Sequence, residues 1–193
     1  IVETITGTKG LSAKGNINLV TNSPLTVAND IVSDDGFIIL TASEDSGAGD
    51  DLTINAGVLI NSTLGSVTLR AGDDITIGAG ATINALTDLV IEGDFNSDDP
   101  TVGSSIDIQG SLAAAAVTVS SGDEADNITL QSVTSGSTIT IDTGDGSDTI
   151  LLEENVLGTV VDIDLGDGNN QLNLAASKAV TASSFDLTSG SGN

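Results

Sequence analysis

The sequence predicts an all-β fold, a right-handed parallel β-helix (a solenoid) of roughly eight coils with a 22–24-residue period. The first observation behind this prediction is that segments 117–130, 139–152 and 161–174 align without a gap and start 22 residues apart. The second is that each segment has an apolar–x–apolar triplet, an acidic turn with glycine and a second such triplet. Because side chains alternate between the two sides of a strand, these triplets indicate short, half-buried strands.

Apolar positions form three columns that recur in one order along the chain, and we call these columns the first, second and third faces. The predicted first-face pairs are Leu25/Val27, Leu52/Ile54, Ile75/Ile77, Ile106/Ile108, Ile128/Leu130, Ile150/Leu152 and Leu172/Leu174. The predicted second-face positions are Ile31, Ile60, Ile83, Leu112, Val133, Val156 and Val180. The predicted third-face pairs are Ile17/Leu19, Ile38/Leu40, Val67/Leu69, Leu89/Ile91, Val117/Val119, Ile139/Ile141, Val161/Ile163 and Phe185/Leu187.

Residues 1–193 are predicted to form a single β-helix repeat domain that continues into neighbouring copies. Segment 1–15 supplies a weaker first coil. Coil length varies at one corner, between the third and the first face, where the largest insertion covers residues 92–105. Insertions in solenoids collect on one edge, which often carries the function.

Charge limits the possible partners. The chain has 28 acidic and 4 basic residues, a net charge of −24, so we expect it to bind neither nucleic acid nor anionic membranes and to attract cations. No apolar segment is long enough to span a bilayer, so membrane insertion is not expected. Cysteine is absent, which excludes disulfides and thiolate sites. The chain also lacks methionine and a signal peptide, which predicts a processed product or a part of a longer protein.

Acidic residues concentrate in the turns between the third and the first face. Asp123, Asp145 and Asp167 occupy one position in consecutive coils, and Asp126 and Asp148 occupy another. Coil spacing would place such carboxylates ~5 Å apart, where each pair of like charges costs roughly a kcal/mol or more. Oxygen-binding cations, above all Ca²⁺, would offset this repulsion, and we predict these five residues as its ligands. The alternative is that the turns are solvated, with glycine supplying left-handed geometry and aspartate capping the turn.

One of these turns resembles a known calcium-binding repeat. In GDGSDTIL (144–151), Gly144, Gly146, Asp148 and Ile150 match the RTX nonapeptide, which binds Ca²⁺ in parallel β-rolls. The resemblance therefore implies Ca²⁺ as a cofactor. It is partial: Thr143 replaces the first glycine, and the turns recur every 22 residues, whereas RTX repeats recur every nine. The neighbouring turns depart further, with Glu124 in place of a glycine and Asn170 in place of the aspartate.

A second resemblance covers more of the chain. Segment 50–94, in which DDLTI (50–54) and DDITI (73–77) mark a 23-residue step, resembles the β-helical shaft of filamentous-haemagglutinin-type adhesins and related giant bacterial surface proteins. The similarity is one of repeat pattern and contains no active-site motif. It implies a structural role outside the cell, in a secreted or surface-displayed protein.

The composition argues against an enzyme. The chain has no His, Cys, Tyr or Trp, and its four basic residues are isolated in the sequence. A carboxylate pair alone could hydrolyse a glycoside, but an aromatic platform for sugar stacking is missing. We therefore expect no catalytic activity. An active site would require a concave groove, whereas a shaft has flat faces.

The two ends of the sequence predict self-assembly. A solenoid normally needs polar caps, because its terminal coils expose strand edges and an open core. Here the predicted interface consists of Ile1, Val2 and Ile5 at one end and Phe185 and Leu187 at the other. The sequence therefore predicts a building unit of a bacterial surface filament, fibre or adhesin shaft. Its units would stack head to tail, as separate chains or as repeats of one long chain, with the strand near Phe185 against the strand near Ile1.

Two alternatives remain open at this point. The chain could be a fragment whose native caps lie outside it. It could also be a calcium-binding adhesin module that recognises a partner through the loop at 92–105. Whether that loop is exposed or buried between units would distinguish a module from a shaft.

Overall fold

The structure, a computed structural model, describes residues 10–22, 24–44, 49–96 and 101–192. These residues form strands and turns without any helix. Parallel strands stack as a β-solenoid of about seven turns with a period of ~23 residues, which confirms the predicted fold class.

Short strands follow one another along the whole described chain. In order they are β1 (Leu11–Ala13), β2 (Ile17–Thr21), β3 (Leu25–Val27), β4 (Ile31–Ser33), β5 (Ile38–Ala42), β6 (Leu52–Ile54), β7 (Leu59–Ser62), β8 (Val67–Ala71), β9 (Ile75–Ile77), β10 (Thr82–Ala85), β11 (Asp88–Glu92), β12 (Ser105–Ala114), β13 (Ala116–Ser120), β14 (Asn127–Ser135), β15 (Thr138–Asp142), β16 (Thr149–Leu152), β17 (Val156–Leu157), β18 (Val160–Asp164), β19 (Gln171–Leu174), β20 (Val180–Thr181) and β21 (Ser184–Thr188). Every pairing between them is parallel and joins neighbouring coils.

The strands form two sheets. The third face is an eight-stranded sheet in the order β2-β5-β8-β11-β13-β15-β18-β21. The first and second faces together form a 13-stranded sheet, because β12 and β14 run through the corner between them. In β12 the pairing register shifts between Ile108 and Ser111. Gly110 lies at this bend, and a Cβ there would press on the carbonyl oxygen of Ala81, so the close approach of two coils requires glycine.

Most of the core consists of the predicted apolar columns, and a few further alanine, valine and leucine side chains are buried with them. On the third face, Val117 pairs with Ile139, and Ile139 pairs with Val161, in register. Both Ile139 and Val161 are fully buried. Pairs on the first and second faces also follow the predicted columns, for example Ile128 with Ile150. Because aliphatic side chains stack on aliphatic side chains from coil to coil, they fill the narrow interior without aromatic residues.

Buried serines tie the coils together at the corner between the second and the third face. Ser33 Oγ donates to the carbonyl oxygen of Gly15 (2.8 Å), Ser62 Oγ to that of Gly36 (2.7 Å) and Ser135 Oγ to that of Ala115 (2.7 Å). In each case the acceptor belongs to the preceding coil. These serines were not predicted from the sequence. They satisfy turn carbonyls that the sheet ladders leave unpaired.

Candidate functional site

The corner between the third and the first face carries the inserted segments, as predicted. Third-face strands such as β5 and β11 end there, and first-face strands such as β6 and the first part of β12 begin there. Residues 43–51 and 93–104 form the long turns of this corner, of which 45–48 and 97–100 lie outside the described residues. We call this region the acidic corner.

One column of polar side chains points into the protein at the acidic corner, and we call it the inner column. Its members lie two residues before the first core residue of each first-face strand, so strand alternation turns them toward the same interior as that residue. Asp126 and Asp148 are each only 1 % exposed. The members are Asp50, Asp73, Ser104, Asp126, Asp148 and Asn170.

Hydrogen bonds run from coil to coil along the inner column. The main-chain N–H of Ser104 donates to Asp126 Oδ1 (2.6 Å), that of Asp126 donates to Asp148 Oδ1 (2.9 Å) and that of Asp148 donates to Asn170 Oδ1 (2.9 Å). Each carboxylate is therefore held by the N–H of the coil before it. Such charge-assisted bonds offset part of the cost of burying the charge. Cations and solvation were the predicted means of neutralising these turns, and hydrogen bonds between coils were not predicted.

A second column lies on the outside of the same turns, and we call it the outer column. It contains the exposed residues Asp123, Asp145 and Asp167. Here the direction is reversed: the N–H of Asp145 donates to Asp123 Oδ1 (3.5 Å), the N–H of Asp167 to Asp145 Oδ1 (3.2 Å), and the N–H of Ser191 to Asp167 Oδ1. The five predicted calcium ligands thus divide between two columns. Asp126 and Asp148 lie together inside, and the other three lie in solvent.

Around Asp126 and Asp148, four buried oxygens lack a partner with hydrogen-bond geometry among the described residues. They are Ser121 Oγ, Asp126 Oδ2, Thr143 Oγ1 and Asp148 Oδ2. The two hydroxyls nevertheless lie beside the two carboxyls and favour their ionised forms. Buried polar atoms without partners are uncommon, so a water molecule, a proton or a cation is the expected companion of these carboxylates.

Burial dominates the titration of Asp126 and Asp148. It raises the pKa of Asp126 to about 7, because desolvation penalises the charged form more than the N–H of Ser104 favours it. Negative charges on Asp148 and Asp94 add to this increase. Burial also raises the pKa of Asp148, against the hydrogen bond from the N–H of Asp126. Asp126 is therefore partly protonated near neutral pH.

A further acidic cluster lies nearer the N-terminus, where Glu44 joins the inner-column residues Asp50 and Asp73. Oxygen atoms of these three carboxylates lie within 4.8 Å of one another. Asp73 Oδ2 accepts the N–H groups of Gly49 and Asp50, the latter at 2.8 Å. These three residues were expected at this corner but were not among the predicted calcium ligands, which followed the RTX-like turns. The paired aspartates that precede LTI (52–54) and ITI (75–77) were the available signal.

The described part of the 92–105 loop lines a polar cavity of about 310 Å³ at the acidic corner. Its walls are residues 92–96 and the turns around Asp123 and Asp142. Arg70 pairs with Glu92, and its guanidinium lies 4.6 Å from the centre of the Phe95 ring. Asp94 and Asn96 have φ values of 53° and 68°, a conformation that non-glycine residues seldom adopt and that often marks functional loops.

The C-terminal end of the solenoid, which we call the tail, exposes its core columns. Phe185 is 49 % exposed and Leu187 is 45 % exposed, whereas Val161 and Ile163, one coil earlier in the same columns, are fully buried. With Leu174 and Val180, Phe185 also lines a cavity of about 520 Å³ at this end.

The opposite end, which we call the head, has a similar apolar lining. Leu11, Leu19, Leu25 and Ile31 line a cavity there. The predicted interface residues Ile1, Val2 and Ile5 lie outside the described residues. The structure therefore describes both interface residues predicted at the tail and none of those predicted at the head.

No protein family, no curated protein and no solved structure matches the chain. In the part of the chain that the structure describes, no helix is long and apolar enough to cross a membrane. Functional conclusions therefore rest on the residues themselves, and the resemblances to haemagglutinin-type shafts and to RTX turns stay predictions.

Proposed function

We propose that the chain is a structural, non-catalytic building unit of an extracellular filament, fibre or adhesin shaft on a bacterial surface. In this proposal its solenoid ends stack head to tail. The observation that carries it is the contrast within single core columns: Ile163 is fully buried, and its neighbour Leu187 in the last coil is 45 % exposed. Exposed core positions and unpaired strand edges favour pairing with another chain.

The surface charge supports the same role. A net charge of −24 keeps the flat sides of the units apart, while the tail presents an apolar end. Units would therefore meet end to end and not side to side. The proposed partner is the chain itself, in separate copies or as repeats of one long protein, with neither nucleic acid nor membrane insertion involved. The extracellular, cell-surface location rests on the resemblance to haemagglutinin-type shafts.

Assembly of the purified chain tests this proposal. We expect concentration-dependent filaments by electron microscopy and sedimentation velocity. Leu187→Asp should abolish them by placing a charge on the tail. The matched control is Leu157→Asp, because Leu157 is 41 % exposed but lies in β17 on the outer side of the solenoid. A monodisperse particle at millimolar concentration, or equal loss of filaments in both variants, would contradict the proposal.

A second candidate function is a calcium-binding adhesin module that recognises a partner through the 92–105 loop. The unpartnered oxygens of Asp126 and Asp148 favour it, because Ca²⁺ takes six to eight oxygen ligands, including carboxylates. Asp94 of the loop is close enough to Asp126 to raise its pKa, so a cation bound there would act on both. Calorimetric titration of Ca²⁺ into metal-free protein tests it, and the absence of heat would contradict it.

A further inference from the structure

Resting on the proposed head-to-tail stacking, we infer the pairing that joins two copies. Strand β2 of one copy adds in parallel to strand β21 of the copy before it. In this register Ile17 lies opposite Phe185, Asn18 opposite Asp186 and Leu19 opposite Leu187. The occupant of the exposed tail is thus the head of a second copy of this chain.

Sheet topology determines which strands can meet. In the described chain, β2 and β21 are the two edges of the same eight-stranded sheet. At the second face, β1 lies at one edge of the sheet. The other edge is β20, which pairs with β17, the strand that in turn pairs with β14. A copy moved along the solenoid axis without rotation therefore continues the third face with β2 and the second face with β1.

This pairing differs from one expectation drawn from the sequence, which involves residues outside the described ones. The strand near Phe185 was expected to meet the strand near Ile1. Residues 1–9 lie outside the described residues, and they precede β1, a second-face strand. Among the described strands, β2 is the edge of the third face at the head, so it is the described strand that can meet β21.

The register follows from the pairing inside the chain. Ile17 and Leu19 start the two third-face columns, pairing with Ile38 and Leu40, and the same two columns end at Phe185 and Leu187. Every third-face pairing between them keeps this register. The interface is thus a continuation of the seven contacts that the sheet already makes, with the same parallel geometry. It would cover the apolar cavity at each end.

Charge along the outside of the third face favours head-to-tail over tail-to-tail pairing. The outward column that contains Asn18 at the head is uncharged through Thr140 and becomes acidic at Asp162 and Asp186, which pair with each other. Adding the head puts the Asn18 amide, a hydrogen-bond donor, beside the Asp186 carboxylate. Joining two tails would instead bring a second Asp186 against the acidic pair, which like-charge repulsion disfavours. The exposed Lys14 adds positive charge at the head.

Cysteine cross-linking tests the register directly, because the chain contains no cysteine. Cross-strand partners in register lie at a distance that a disulfide spans. The test protein carries Asn18→Cys and Asp186→Cys together, and mild oxidation should link it into a ladder of multimers on a non-reducing gel. A mismatched control carries Ser12→Cys with Asp186→Cys, since Ser12 lies on the second face. A geometric control carries Thr140→Cys with Asp162→Cys, a pair already in register, which should close within one chain.

The outcomes separate this inference from the proposed function. A ladder for the matched pair only supports both. Two results would overturn the proposed register. The first is that filaments form normally while the matched cysteine pair gives no ladder, and the second is that the Asp186→Cys single variant alone forms dimers. In both cases electron microscopy of the unmodified chain would still test whether it assembles into filaments. Absence of any filament in the unmodified chain would overturn the proposed function itself, and with it the inference.

Discussion

The main-chain N–H of Asp126 donates a 2.9 Å hydrogen bond to Oδ1 of Asp148, the residue at the same position one coil further along. This bond makes each buried carboxylate of the inner column a partner of the neighbouring backbone. The second oxygens of Asp126 and Asp148 are buried without a hydrogen bond of good geometry among the described residues, although a hydroxyl lies beside each carboxyl. Stability of the acidic corner should therefore depend on what neutralises these oxygens.

Stability should rise as the pH falls toward the acidic range. The pKa of Asp126 is about 7 in the folded chain, against 3.8 for an ordinary aspartate, because of burial. A raised folded pKa gives a stabilising contribution that is complete below pH ~4 and is lost as the pH rises through ~7, with a slope of at most about 1.4 kcal/mol per pH unit for one group. Burial raises the pKa of Asp148 and Asp74 as well, so these act in the same direction. Urea unfolding between pH 4 and pH 8, without divalent cations, measures this.

The Asp126→Asn variant isolates the contribution of that residue. An amide keeps the oxygen that accepts the N–H of Ser104 but carries no charge, as Asn170 does at the end of the column. The variant should be more stable than the unmodified chain at pH 8, and its stability should vary less with pH. Asp35→Asn, at an exposed position far from the column, controls for the change in net charge. Equal pH slopes for all three proteins would contradict the role of Asp126.

Calcium should raise the melting temperature if it occupies the acidic corner. A ligand that binds only the folded state stabilises it by mass action. Because Asp126 is partly protonated near pH 7, binding should also release protons. Asp148→Asn should weaken the effect strongly, and Asp145→Asn, in the exposed outer column, only slightly. A melting temperature that is the same in chelator and in calcium, at low salt, would leave protonation and hydrogen bonding as the means of neutralisation.

A methyl group on Gly166 should destabilise the stack. Gly166 has φ of 56°, and a Cβ there would collide with the carbonyl oxygen of Gly144 in the preceding coil. The left-handed conformation alone costs about 1–2 kcal/mol for a residue with a Cβ, and the collision adds to this cost. Gly15→Ala is the matched control, because no atom lies within 4 Å of its added Cβ. Denaturant unfolding of the two variants should differ clearly, and similar losses would contradict the contact between turns.

Alanine substitutions at two positions of one third-face column should lower the free energy of unfolding by different amounts. Ile163 is fully buried, so Ile163→Ala should lower the free energy of unfolding by about 2–5 kcal/mol. Leu187, its partner in the last coil, is 45 % exposed, and Leu187→Ala should cost less than about half as much in dilute solution. Calorimetry at two concentrations measures both. A large cost for Leu187→Ala at high dilution would show that the tail is covered within a single chain.

Sequence pattern determined the columns of this fold because period-two triplets set both the face and the register. A register error of one residue would turn Ile139 or Ile141 outward, so only one stacking satisfies the apolar pattern. The merging of first and second faces in β12 was not predictable, since it depends on a close backbone approach at Gly110. The buried serines were also missed, because serine is common in solvated turns as well.

The acidic corner was predicted in composition but not in arrangement. Asp123 and Asp126 belong to the same turn. Asp126 lies two residues before the core residue Ile128 and therefore on the same side of the strand, and only this spacing distinguishes the buried aspartate from the exposed one. Extending strand alternation two residues back would have found Asp50, Asp73, Asp126 and Asp148. The direction of the hydrogen bonds could not be predicted, because it depends on the backbone path through residues with positive φ such as Gly122 and Gly144.

The hydrogen bonds between coils lie along the solenoid axis, so a pulling force on a shaft of this kind would load them directly. All bonds of one layer share the force, and the layer with the shortest strands would break first. At the second face the shortest pairings are those of β17 with β14 and of β17 with β20, each of which joins only two residue pairs. Rupture at this face would therefore begin in the C-terminal coils and proceed coil by coil, which lets a shaft lengthen under load before it separates.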